Sequence, residues 1–267
     1  MTSTTTSAKR ATASRVKPSD RPVAGMSPTT PGTRGRVRPV TAAAGLVAVT
    51  LVGLVLAPLP GWTSGELSVV QWFSAHHAPA WDAAAGLIGT VVSPPVGFVL
   101  LLVTCAVAAR WIGLRRAAVL LGIAGATLAG GIVLKVLVHR PRPDVALLVS
   151  PPPVDTSFGY PSGHTTVATV LVLVALAVLP RRHRAWLVPA GVVLVAAVAA
   201  SRVYLGLHYP LDVTAAAVYA VCAFAFLSAL VMTRPARRLL AVVHLDPCAP
   251  DAPSSDQPSV PPEGDHA

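Results

Sequence analysis

"AAVLLGIAGATLAGGIVLKVLV", residues 117–138, carries one charge, Lys135, just before the polar "HRPRP" of 139–143. A run of this kind covers the ~20 residues needed to cross the hydrocarbon core of a bilayer. Five further apolar stretches of similar length occur at 40–58, 95–113, 163–180, 186–203 and 212–232. Composition agrees, since charged residues make up 12% of the 267-residue chain, whereas a soluble domain carries about 25%. The sequence therefore predicts an all-α, polytopic membrane helical bundle. It has about six transmembrane helices, with an interfacial segment between the first and second.

That segment, 59–94, is half apolar and holds no Lys or Arg. Short helices lying at the interface are expected there, with an extra span as the alternative. Residues 1–39 are rich in Ser, Thr, Pro and basic side chains and bury almost nothing, so a disordered basic tail is expected. Residues 40–232 form the six-span domain, and 233–267 a second tail, mostly disordered. The net charge of +10 does not point to nucleic acid, because its largest block lies in the first tail without interleaved aromatic residues. Cys105, Cys222 and Cys248 show no metal-ligand spacing and imply no disulfide framework.

Basic residues also orient the bundle. The N-terminal tail, Arg115 and Arg116, "RRHR" at 181–184, and Arg234, Arg237 and Arg238 share one side if six spans alternate. That side is expected to be the cytoplasm, with both termini on it, and the host membrane the cell membrane. Trp62, Trp72 and Trp81 lie in the 59–94 connection and Trp111 and Trp186 at inner span ends, none mid-span, as expected of interfacial anchors.

Lys135, His139, Arg140, Arg142 and Arg202 then fall on the outer face, against the trend. Lys135 alone either snorkels to the interface or serves a site. Three guanidinium groups from two segments need another reason, and convergent cations suggest an anion site. "YPSGHTT" at 160–166 opens the fourth span. A helix start presents free N–H groups and a positive dipole end, Ser162 and Gly163 admit close approach, and His164 adds a proton carrier. In "SRVYLGLHYPLD", 201–212, His208 precedes a helix opened by Pro210. Asp212 either caps that helix or holds the His208 ring so that its other nitrogen is a nucleophile or base. Arg202 offers a fork suited to phosphate oxygens. The outer acids Glu66, Asp82, Asp144, Asp155 and Asp212 are dispersed, so neither a metal nor a cofactor is expected.

Three stretches together resemble the type 2 phosphatidic acid phosphatase superfamily of membrane lipid phosphatases. "KVLVHRPRP" (Lys135 to Pro143), "PSGH" (Pro161 to His164) and "SRVYLGLHYPLD" match its three motifs in order and in spacing. The resemblance covers roughly residues 40–232. It implies that His208 attacks phosphorus to form a phosphohistidine and that Asp212 orients it. His164 would protonate the leaving oxygen and then activate water. Lys135, Arg142, Arg202 and the backbone of Ser162 and Gly163 would hold the phosphate. His139 and Arg140 fall in the variable part of the first motif and receive no catalytic role.

The expected activity is hydrolysis of a lipid phosphate or diphosphate (polyprenyl diphosphate, phosphatidic acid or phosphatidylglycerol phosphate) at the extracytoplasmic face. A phosphotransferase with the same site is the second enzymatic reading; vanadium-dependent haloperoxidases share the anion site but not the spans. A transporter or non-catalytic membrane partner is the third. It would place polar groups deep in several spans, and here they gather at one edge. The sequence carries no readable code for oligomeric state.

Overall fold

The computed structural model describes residues 39–153, 155–242 and 245–247. In chain order its helices are α1 (Pro39–Leu56), α2 (Pro60–Ser74), α3 (Pro79–Val91), α4 (Pro94–Ile112) and α5 (Leu114–Val138), followed by α6 (Gly163–Val178), α7 (Arg184–Tyr204), α8 (Pro210–Val231) and α9 (Arg234–Val242). Short 3₁₀ turns occupy Val145–Leu147 and Arg181–His183, and no strand occurs among the described residues. Proline opens α2, α3, α4 and α8, where its missing N–H costs nothing and its fixed φ suits the first turn.

Helices α1, α4, α5, α6, α7 and α8 are the six expected spans; the largest boundary difference is the start of α5, at Leu114 instead of 117. Five of them are long and apolar enough to cross a membrane. Helix α6, at 16 residues, is about 24 Å long at 1.5 Å per residue. It is also the innermost, packing against α4, α5, α7 and α8. Leu101 and Cys105 of α4, Ile123 and Ala124 of α5, Val170 and Val174 of α6, and Ala220 and Phe224 of α8 form the main buried cluster. Outward-facing side chains are apolar as well: Ile132, Val133, Val192 and Val193 are 63–68% exposed. An exterior of this kind belongs in lipid, and the protein is a multi-pass membrane protein.

Between α1 and α4 the chain forms α2 and α3, of 15 and 13 residues, each shorter than the ~20 residues a span needs. They pack on α7. His77 Nδ1 lies 3.0 Å from Asp82 Oδ1, and the Tyr204 hydroxyl donates to the same oxygen at 2.6 Å. Helix α1 lies along α8, and the Tyr160 hydroxyl donates to the Val49 carbonyl of α1. The expected N-terminal tail lies outside the described residues apart from Pro39, which opens α1. Beyond residue 232, where a mostly disordered tail is expected, α9 forms as a short helix with three arginines; Cys248 and the residues after it lie outside the described ones.

Candidate active site

The end of α5, the start of α6 and the α7–α8 connection meet at one end of the bundle. Helix α5 stops at His139, whose φ of 52° is the left-handed conformation that closes many helices. The chain leaves as "RPRP". Pro141 and Pro143 restrict its backbone, and the two arginines diverge: Arg140 is buried, while Arg142 turns to a cavity. Gly206, at φ 70°, turns the chain between α7 and α8, a conformation that costs a side chain more than glycine. His208 is thereby set just ahead of α8.

The cavity has a volume of about 480 Å³. Lys135, Arg142, Asp155, Gly163, His164 and His208 line its polar end, where the two cations outnumber the one acid, and Phe98 of α4 with Leu128 and Ile132 of α5 line the rest. Phe98 and Ile132 are 48% and 65% exposed, so the apolar end opens sideways onto the lipid-facing surface. Lys135 Nζ donates to the Phe158 carbonyl at 2.6 Å.

Arg142 fixes the state of His208. Its Nη1 lies 3.2 Å from His208 Nε2, and a guanidinium only donates. Nε2 therefore carries a lone pair, and the ring proton sits on Nδ1. That nitrogen faces Asp212 Oδ2 at 3.4 Å, an ionic contact longer than an ordinary hydrogen bond. Burial pushes the His208 imidazole below the ordinary histidine range; Asp212 offsets part of this, and Arg142 and Lys135 add to it. The ring is thus neutral at pH 7, with its Nε2 lone pair on the cavity side, where it accepts from Arg142.

Arg142 has further partners: its Nε donates to the Ser157 carbonyl (3.1 Å), Nη1 to the Leu207 carbonyl (2.7 Å), and Nη2 to Ser157 Oγ (3.0 Å) and Asp155 Oδ2 (2.7 Å). These contacts and the one to His208 match the five N–H groups of a guanidinium, so an anion binding here must exchange with one of them. Burial raises the Asp155 carboxyl, but hydrogen bonds from Ser157 and the charge of Arg142 outweigh this and hold it below the usual range.

Asp212 lies behind His208, fully buried. Its Oδ2 accepts the Tyr209 N–H at 2.9 Å; the same carboxylate caps α8 and faces the imidazole. Its Oδ1 accepts from Arg140 Nη1 at 2.9 Å, and Arg140 Nη2 donates to Glu66 Oε2 of α2 at 2.5 Å. Two expected residues stand back from the cavity. The Ser162 N–H donates to the Asp212 carbonyl at 3.0 Å, so the unpaired amides of the α6 start begin at Gly163. Arg202 points under α3, its Nη2 donating to the Ala85 carbonyl at 2.6 Å. Gly89 makes room for it, since a Cβ there would lie 2.4 Å from Nη2.

The PAP2 superfamily family model matches residues 116–236, and all three motif stretches fall inside that range. Residues 116–236 are similar to the PAP2 superfamily. A decaprenylphosphoryl-5-phosphoribose phosphatase of Mycobacterium tuberculosis is 38% identical over 101 residues, 37% of this chain and 53% of that protein. An undecaprenyl-diphosphatase of Sulfolobus acidocaldarius is 37% identical over 68 residues, 26% of this chain and 30% of that protein. The chain therefore matches about half the length of the first relative and less of the second. The crystal structure of a transmembrane PAP2 type phosphatidylglycerolphosphate phosphatase from Bacillus subtilis superimposes with a TM-score of 0.62 at 20% identity. The superposition covers 73% of this chain and 98% of that one, and shows that the two share a fold.

The residues that the motif pattern left unassigned are the ones that brace the site. Arg140 and its partner Glu66 are buried, and Glu66 belongs to α2, outside the stretch that the family model matches. Two signals pointed toward them: a second arginine on the wrong face of the membrane, and the single charged residue between Val40 and Trp81, which is Glu66.

Proposed function

We propose that this protein is an integral membrane phosphatase that hydrolyses a lipid phosphate or diphosphate through a phosphohistidine on His208, without a metal ion. The observation that carries this reading is the two-ended cavity, cationic where His208 presents its lone pair and apolar where it opens toward lipid. A lipid phosphate has the same division.

In the first step the His208 Nε2 lone pair forms a bond to phosphorus, and the bond from phosphorus to the leaving oxygen breaks. His164 donates the proton that the leaving oxygen takes. In the second step His164 accepts a proton from water, whose oxygen attacks phosphorus and breaks the N–P bond. Asp212 stabilises the charge that His208 gains. Lys135, Arg142 and the Gly163 amide hold the non-bridging oxygens, while Ser162 and Arg202, expected to join them, would first have to leave the Asp212 and Ala85 carbonyls. Phosphoryl transfer depends chiefly on positioning and charge stabilisation, which fixed cations supply. For the metal-free reading, the acids nearest the site are already engaged by arginines: Asp212 and Glu66 accept from Arg140, and Asp155 from Arg142.

The names of the relatives set the substrate panel: decaprenylphosphoryl-5-phosphoribose, undecaprenyl diphosphate and phosphatidylglycerol phosphate, with phosphatidic acid added. Purified protein in detergent is expected to release phosphate from at least one of them in the presence of EDTA. Vanadate should inhibit by occupying the phosphate site. Activity that disappears in EDTA and returns only with Mg²⁺ would refute the metal-free reading.

The site should face the extracytoplasmic side, because the basic turns 115–116 and 181–184 lie at the opposite end of the bundle. Val149, 77% exposed, lies on the site side and Arg182 on the other. In a background lacking Cys105, Cys222 and Cys248, Val149→Cys is expected to react with an impermeant thiol reagent on intact cells. Arg182→Cys should react only after permeabilisation; the reverse pattern inverts the topology.

A further inference from the structure

Behind His208 lies a row of buried charges that never reaches the cavity. Asp212, Arg140 and Glu66 are 0%, 1% and 8% exposed. Arg140 joins the two acids, and its guanidinium carbon sits 4.3 Å from the centre of the Tyr209 ring. The other Glu66 oxygen, Oε1, accepts the Leu211 N–H at 2.5 Å, so Glu66 grips the first turn of α8 as well. Each Asp212 oxygen has a donor, Arg140 on one side and the Tyr209 N–H on the other. The carboxylate cannot rotate without breaking one of these bonds. Ring and row are also joined through one segment: in "HRPRP", Arg142 contacts His208 Nε2 directly, while Arg140 reaches the Nδ1 side through Asp212.

We propose that Arg140 and Glu66 form a positioning pair that fixes the orientation of Asp212 and tempers its charge on the His208 ring. An unopposed carboxylate behind an imidazole favours the protonated ring, and a protonated ring has no lone pair for phosphorus. Arg140 counters that pull, and Glu66 limits the counter-effect by neutralising part of Arg140. The charges therefore alternate along the row, and removing neighbouring members has opposite consequences for the ring. The other charged or titratable groups on the His208 side are Arg142 with its partner Asp155, Lys135 of α5 and His164 of α6, with Arg202 of α7 turned away toward Ala85; none of them belongs to the row. The proposal rests on His208 being the nucleophile.

The test uses full-length protein carrying Arg140→Gln, Arg140→Lys or Glu66→Gln, with kcat and KM measured from acid to neutral pH and His208→Ala run alongside. Arg140→Gln is expected to lower kcat about ten-fold or more with KM little changed, as for a group acting through the reacting residue. Its acid limb should move up by about half a pH unit or more. Glu66→Gln should move the acid limb down, and Arg140→Lys should restore it toward the wild-type position. Ionisation of the substrate phosphate cannot produce shifts of opposite sign on one substrate. Where Arg140→Gln does not fold, Glu66→Gln and Arg140→Lys decide: a downward limb in the first and a near-native limb in the second support the pair. An inactive His208→Ala with unshifted limbs, or limbs moving the same way, overturns the positioning pair alone. Near-normal turnover in His208→Ala overturns both the pair and the phosphohistidine.

Discussion

His208→Ala is expected to lower phosphate release by about three orders of magnitude or more while leaving the bundle folded. The size of the loss follows from the cavity. Among the described residues the other imidazole on its wall is that of His164, held in the first turn of α6, where it cannot occupy the position of Nε2. The fold should survive because the substitution orphans no charge: Asp212 keeps Arg140 and the Tyr209 N–H, and Arg142 keeps its carbonyl partners on Ser157 and Leu207. The check is phosphate release from the best substrate of the panel, together with trapping of an acid-labile phosphoryl adduct. The adduct should form on wild type and be absent from the variant. Turnover within ten-fold of wild type would exclude His208 as the nucleophile.

Asp212→Asn is expected to cost about a thousand-fold in kcat, for a different reason. An amide offers one oxygen where the carboxylate offers two, so it cannot serve Arg140 and the Tyr209 N–H as the acid does. If its NH₂ group turns toward His208, Nδ1 becomes an acceptor and the ring proton moves to Nε2. The tautomer is then wrong for attack. The substitution also leaves Arg140 buried with one acid instead of two, so the melting temperature should fall. Activity expressed per folded molecule separates the effects; a kcat near wild type would mean that Asp212 only caps α8.

The spans were legible in the sequence because length and polarity are local properties. Seventeen apolar residues preceding Lys135 in "AAVLLGIAGATLAGGIVLKVLV" can be recognised without knowing what they touch. The cavity-facing residues were legible for a related reason: Lys135, Gly163, His164 and His208 each stand at the end of an apolar run, where the topology brings alternate ends together. What surrounds them was not. Glu66 meets Arg140 across 74 positions, and only the fold of α2 over the start of α8 brings them together. The turn of Arg202 toward Ala85, and the use of the Ser162 amide by the Asp212 carbonyl, depend on the rotation of each helix about its axis. The apolar sequence of a membrane helix leaves that rotation weakly marked.

The pairing of α1 with α8 bears on how the protein is made. Helix α1 ends at Leu56 and α8 begins at Pro210, so the first span waits for the last. At roughly 5–20 residues per second of synthesis, that interval is on the order of ten to thirty seconds, during which the face of α1 that will meet α8 has only lipid against it. Asp212 arrives in that same final segment, so Arg140 is made before the second of its two acids exists. A ribosome that stops after α7 therefore leaves an open bundle with an under-compensated cation.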